Sequence, residues 1–148
     1  MNTASSPNSQ PAPFDGRECL CVDAACSGNP GPMEYRGVYM PSGREVFRFG
    51  PIQGTNNIGE FLAIVHALAL MKQRGVVMPI YSDSVSGMAW VRNRKAKTSL
   101  ERNEQTSEAL DLVLRAEKWL RENGVAAPVL KWNTDEWGEI PADFGRKK

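Results

Sequence analysis

The order in which hydrophobic periods change along the chain constrains its fold more than any other feature. Residues 18–25 carry the apolar run CLCVDAA, which reads as a buried strand broken by one acid, Asp23. The turn-forming stretch SGNPGP follows. Residues 35–40 and 45–49 flank Pro41, Ser42 and Gly43, so they predict a hairpin and, with the first run, an antiparallel meander. The pattern then switches. After PIQGTNN, Ile58, Phe61, Leu62, Val65, Leu68 and Ala69 recur at helical spacing, with Asn56 or Asn57 as the expected N-cap and Gly75 as the stop. A strand is expected over 76–82, a short helix over 84–91, and a longer helix over 106–123 with Leu110, Val113, Leu114 and Leu120 on its apolar face. Gly124 ends that helix, 129–132 supplies a fifth strand, and a helical turn is expected around 142–144. Three strands, a helix, a strand, two helices, a strand and a terminal helix predict an α/β fold with a mixed sheet.

The 148 residues suit one domain with one sizeable core. Residues 1–17, rich in Ser, Asn, Pro and Ala, hold too little apolar surface to offset the entropy of ordering and read as a disordered tail, leaving 18–148 as the folded domain. No apolar run reaches the length of a membrane span, and the first residues lack the basic start and apolar stretch of a secretory signal, so a cytoplasmic protein without membrane function is expected. Cys19 and Cys21, two apart on one strand, are poorly placed for a mutual disulfide, and reduced thiols are expected. A metal-thiolate site at Cys19, Cys21 and Cys26 is the weaker alternative, since there is no second cysteine pair. The net charge of +1 does not by itself announce a nucleic-acid partner. Local basic patches lie at Arg92, Arg94, Lys95, Lys97 and Arg102, and at Arg146, Lys147 and Lys148; charge alone favours solvated surface for both.

The informative residues are acids in apolar surroundings. Asp23 interrupts one strand, Asp83 ends another, and Glu60 stands beside Phe61 and Leu62 early in a helix. Each alone fits an exposed strand end or a partner for a helix dipole. None has an evident basic partner nearby in sequence, and buried carboxylates cost free energy unless paired or bound to metal. If the first and fourth strands are neighbours, Asp23 and Asp83 meet and the helix between them brings Glu60 over both. A hard divalent cation relieves the repulsion of such a cluster.

Three motifs carry a resemblance. The run from Asp23 to Pro32 (DAACSGNPGP), then Thr55-Asn56-Asn57 with Glu60 three residues on, then Tyr81-Ser82-Asp83-Ser84, resemble the type 1 ribonuclease H family in order and separation. The resemblance covers nearly everything after the tail. It implies a five-stranded mixed sheet with helices on both faces and endonucleolytic cleavage of the RNA strand of an RNA-DNA hybrid, leaving a 3′-hydroxyl and a 5′-phosphate. By the same resemblance, Asp23 bridges two Mg²⁺ ions, with Mn²⁺ as a substitute. Glu60 and Asp83 complete the ligands of one ion, and Asp143 of Pro141-Ala142-Asp143 serves the ion that activates water. Asn29, Thr55, Asn56 and Asn57 fall on the hybrid's minor groove or the DNA phosphates, and Trp90 matches a family tryptophan that lies against the DNA sugars. A packed core residue is the bland reading of Trp90. A monomer is expected.

The sequence also departs from the family. Ala24 replaces the glycine that usually follows the first aspartate, and the segment after Trp90 is only RNRKAKT, without a long basic protrusion. No separate hybrid-binding domain is expected, since the tail is too short for one. The segment before Asp143 lacks the family's loop histidine, and the only histidine, His66, lies six residues after Glu60 and is turned away from it on the helix. Glu136 and Glu139 are the candidates for its task. The competing readings are a domain that binds hybrids without cutting, or another metal nuclease of the same superfold.

Overall fold

A computed structural model describes residues 17–145. The expected tail, apart from Arg17, and the basic cluster Arg146, Lys147 and Lys148 lie outside these residues. Three strands come first: β1 (Cys19–Cys26), β2 (Gly31–Met40) and β3 (Arg44–Gly54). They are followed by α1 (Asn56–Arg74), β4 (Ile80–Ser82), α2 (Val85–Asn93), α3 (Ser107–Asn123), β5 (Val129–Lys131) and α4 (Thr134–Trp137). The sheet order is β3-β2-β1-β4-β5. The first three strands pair antiparallel, while β4 pairs parallel with both β1 and β5. This is the expected mixed sheet.

Alternation along β1 divides the interior into two cores. Leu20, Val22, Ala24 and Cys26 face α1, and residues of α3 such as Val113 and Leu120 join that cluster. Cys19 and Cys21 face the other way, against Trp132, Ile140 and Ala142. Opposite faces of one strand cannot bring Cys26 to Cys19 and Cys21, so the thiolate-metal alternative fails on geometry. All three cysteines are reduced and buried.

Several boundaries move from their expected places. The N-cap of α1 is Thr55, not Asn56 or Asn57: its Oγ1 accepts from the Ile58 amide at 3.2 Å, leaving both asparagines inside the first turn. The hairpin strands run longer than expected, because backbone pairing continues through Gly31 and through Pro51 to Gly54. By contrast β4 is only three residues long. Val76 and Val77 are exposed, and Pro79, which has no amide to donate, joins the sheet only through its carbonyl, 2.9 Å from the Leu20 amide. On α3, Leu114 is exposed, since the buried face runs through Ala109, Val113, Ala116, Glu117 and Leu120. The terminal helical turn lies at α4, where the Asn133 Oδ1 accepts from the Glu136 amide at 3.1 Å, and not at 142–144. There Ile140 and Ala142 alternate into the second core with Pro141 between them, a pattern no helix provides.

Candidate active site

The two aspartates meet because their strands do. In the β1–β4 pair Leu20 lies opposite Ile80 and Cys21 opposite Tyr81, so the register carried two residues further sets Asp23 beside Asp83. Asp83 sits where β4 ends, and Ser84 Oγ then accepts from the Gly87 amide at 2.9 Å to start α2. Glu60 arrives from α1. Its approach depends on two glycines: a Cβ on Gly59 would stand 2.8 Å from the Ala24 methyl, and one on Gly87 would stand 3.0 Å from Glu60 Cβ. Small residues thus let α1 settle on β1 and α2 settle on Glu60.

Carboxylate oxygens of Asp23, Glu60 and Asp83 lie within 4.8 Å of one another. Asp23 and Glu60 are buried, and Asp83 is half-buried. Burial and the neighbouring Asp83 charge push the Asp23 carboxyl up to about 7, even though Glu60 hydrogen-bonds to it. Burial first, then the charges of Asp23 and Asp83, raise Glu60 well above the usual carboxylate range. Asp83 is raised chiefly by burial, and Lys131 partly opposes this. Glu60 Oε1 is buried without a hydrogen-bond partner. A buried, unpaired oxygen among mutually repelling carboxylates fits an oxygen-seeking divalent cation.

Asp143 joins from the opposite core. It lies in the turn after Ile140, its amide 2.8 Å from the Ile140 carbonyl, and its Oδ2 accepts from the Gly145 amide at 3.0 Å. With Asp23, Glu60, Asp83 and Ser84 it lines a cleft of about 580 Å³. Its charge raises both Asp23 and Asp83.

A second cleft, about 660 Å³, shares Asn29 and Asn56 with the first, and Thr55, Asn57, Trp90, Lys97 and Asn103 also line it. Asn29 Oδ1 accepts from the Asn56 amide at 3.0 Å, which ties the turn after β1 to the start of α1. Asn56 Oδ1 is buried without a partner. Trp90 lines this cleft, is 9% exposed and packs against Phe61 of α1 in a T-shaped contact. Of the basic run, Lys97 reaches this groove, Arg92, Arg94 and Lys95 are exposed elsewhere on the surface, and Arg102 pairs with Asp111 at 3.0 Å. Asn103 is a groove residue that sequence reasoning misses, because nothing in its local pattern separates it from an ordinary loop residue.

His66 is placed away from both clefts. Its ring stacks on Phe47 at 4.1 Å, and its Nδ1 shares a hydrogen bond of 2.9 Å with the Tyr35 hydroxyl. Burial lowers its pKa, so it stays neutral near pH 7. Glu136 and Glu139 are both exposed, and Glu139 adds to the negative field on Asp83.

Comparison with known proteins bears on the family and the fold. The family model described as RNase H matches residues 16–128, a span that holds Asp23, Glu60 and Asp83 and ends before Asp143. The chain is similar to a ribonuclease H of Neorickettsia sennetsu, with 30% identity over 87% of this chain and 90% of that protein. It is also similar to a ribonuclease H of Aromatoleum aromaticum, with 34% identity over 87% and 92%. Among solved structures, RNase H1 from the archaeon Halobacterium salinarum shares the fold at a TM-score of 0.51 and 22% identity, covering 80% of this chain and 86% of that one.

Proposed function

The chain belongs to the RNase H family, and on that premise we propose that the cleft of Asp23, Glu60, Asp83 and Asp143 is where it cuts RNA. The protein is an endoribonuclease acting on the RNA strand of RNA-DNA hybrids. The observation that carries the site assignment is the buried carboxylate cluster with its unpartnered Glu60 oxygen at the carboxyl ends of two adjacent parallel strands.

These four residues would hold divalent cations, Mg²⁺ for preference and Mn²⁺ as a substitute. Bound there, two such ions supply positive charge to the attacking and leaving oxygens of an in-line displacement at phosphorus, leaving a 3′-hydroxyl and a 5′-phosphate. The protein's own groups bind and orient. Asn29, Thr55, Asn56 and Asn57 face the adjoining groove, where short polar side chains can bind 2′-hydroxyls and phosphate oxygens without reading sequence. Trp90 lines the same groove and is our candidate to lie against the DNA sugars. Glu139, whose charge acts on Asp83, is our candidate to accept a proton there, the task a loop histidine serves elsewhere in the family. The monomeric state and cytoplasmic location belong to this proposal as well; no helix among the described residues is long and apolar enough to cross a membrane.

The direct test incubates the protein with labelled hybrid, double-stranded RNA and single-stranded RNA, each with and without Mg²⁺. Cleavage of the hybrid alone, and only with the cation, is expected. Cutting of all three substrates, or cutting in the presence of EDTA, would overturn the proposal.

Two further results are expected. His66→Ala retains nearly full turnover, because the ring packs on Phe47 and not in the cleft; removing the aromatic ring costs about 1 kcal/mol of stability. Glu139→Gln lowers turnover severalfold without abolishing it. Steady-state rates at saturating Mg²⁺ decide, and a large drop in His66→Ala with Glu139→Gln unchanged reverses the assignment. Hybrid affinity is also expected to fall with salt at a modest slope, since few cations border the groove. Replacing Arg92, Arg94 and Lys95 together with glutamine should flatten a plot of log affinity against log salt by roughly one unit for each phosphate that is no longer neutralised. An unchanged slope makes that patch plain solvated surface.

A further inference from the structure

Asp143 reaches the cleft from a turn whose immediate backbone has no sheet or helix to hold it. Besides its own turn hydrogen bonds and the burial of Ile140 and Ala142, one side chain of β2 grips it. Arg36 lies opposite Asp23 in the β1–β2 register, so the two side chains leave the sheet on the same face. Its Nε donates to the Ala142 carbonyl at 2.8 Å and its Nη2 to the Asp143 carbonyl at 2.6 Å. Its guanidinium also lies 5.2 Å from the centre of the Phe144 ring. One planar cation therefore touches three consecutive residues of the turn.

The cation is itself held in orientation. Arg36 pairs with Glu45 at 3.3 Å, and Glu45 also binds Arg48 at 3.1 Å. Arg36 and Arg48 are direct cross-strand neighbours in the β2–β3 register, an arrangement that repels without intervening acid. Glu45 and Glu34, the latter 3.0 Å from Arg48, supply that acid. Phe144 lies near both guanidiniums, with Arg48 at 5.1 Å. With Nη1 on Glu45, the Nε and Nη2 donors of Arg36 meet the turn.

We propose that Arg36 is a positioning residue that fixes the Asp143 carboxylate over the cleft by clamping the backbone carbonyls of Ala142 and Asp143, with Glu45 orienting the clamp. The inference rests on the reading of Asp143 as part of the active site. Arg36 touches neither substrate nor cation; it acts through the turn. A guanidinium is suited to this, since two of its nitrogens meet two carbonyls in one plane, whereas an ammonium is a single point that satisfies one geometry at a time.

The test uses R36M, R36K, D143N and the double variant R36M/D143N. Hydrogen exchange is read on the metal-free proteins, and hybrid cleavage across a Mg²⁺ series. R36M is expected to raise exchange at the amides of 143–145 while leaving β1 and α1 protected. It should lower kcat by roughly tenfold to a hundredfold, and raise the Mg²⁺ concentration for half-maximal rate, with KM for hybrid little changed. R36K should recover part of the rate. In the D143N background R36M should cost little more, because the group it positions is already gone. Unaltered exchange at 143–145 in R36M overturns the clamp whatever the rates show. Additive effects in the double variant overturn it as well, since Arg36 would then act on something other than Asp143. Should D143N cut at the parental rate while R36M still loosens the turn, the clamp survives as architecture and the catalytic reading of Asp143 fails.

Discussion

Asp83→Asn is expected to slow cleavage of hybrid at saturating Mg²⁺ by a thousandfold or more, which corresponds to about 4 kcal/mol of transition-state stabilisation. Asp23→Asn and Glu60→Gln should do the same. The expectation follows from placement. Asp83 stands at the end of β4 with its oxygens within 4.8 Å of those of Asp23 and Glu60, where a neutral amide cannot replace the charge that a cation needs. Asp83 is half-buried and follows directly on the short strand, with Ser84, not Asp83, capping α2, so the amide should leave the fold intact. The check is a cleavage assay paired with circular dichroism. Parental cleavage by folded Asp83→Asn would remove the carboxylate cleft from the mechanism.

The second large effect is on stability. The Asp23 carboxyl is held up to about 7 in the folded protein, against 3.8 for an ordinary aspartate. A carboxyl raised by folding favours the folded state fully below its ordinary value, and that contribution is lost as pH rises through the folded value. Without a cation the protein should therefore lose stability between about pH 4 and pH 7, by an amount on the order of a few kcal/mol. Asp23→Asn, whose side chain does not ionise, escapes this loss. At pH 8 without Mg²⁺ the variant should melt above the parent, by roughly 5 to 10 °C, while the two converge as the pH falls to about 4. Added Mg²⁺ should raise the parent's Tm and leave the variant's nearly unchanged, because only a site that binds the folded state stabilises it by mass action. Thermal melts at the two pH values decide. A variant less stable than the parent at pH 8 would show that Asp23 is stabilised by its neighbours and not strained by them.

Ala24 illustrates how a departure from the family pattern is absorbed. The residue after the first aspartate is usually glycine in this family, and the Ala24 methyl faces α1. The facing residue is Gly59, at which a Cβ would stand 2.8 Å from that methyl. One strand position gained a carbon, and the helix position across from it has none.

The amino-acid sequence by itself determined the order of strands and helices, the burial of Asp23 in β1 and the identity of the acids, because alternation and helical spacing are local properties that each segment carries alone. It misplaced what depends on partners. Thr55 caps α1 because its hydroxyl reaches the Ile58 amide, a choice among three adjacent polar residues that propensity does not separate. The turn at Asp143 reads as a short helix until the second face of the sheet takes Ile140 and Ala142 as an alternating pair. Arg36 carries no local signal at all. Its part is decided when β2 pairs with β1 and the C-terminal segment crosses that face, which brings residues 106 and 107 positions apart within hydrogen-bonding reach. Contacts of that separation arise only from chain packing, and no periodicity within a segment encodes them.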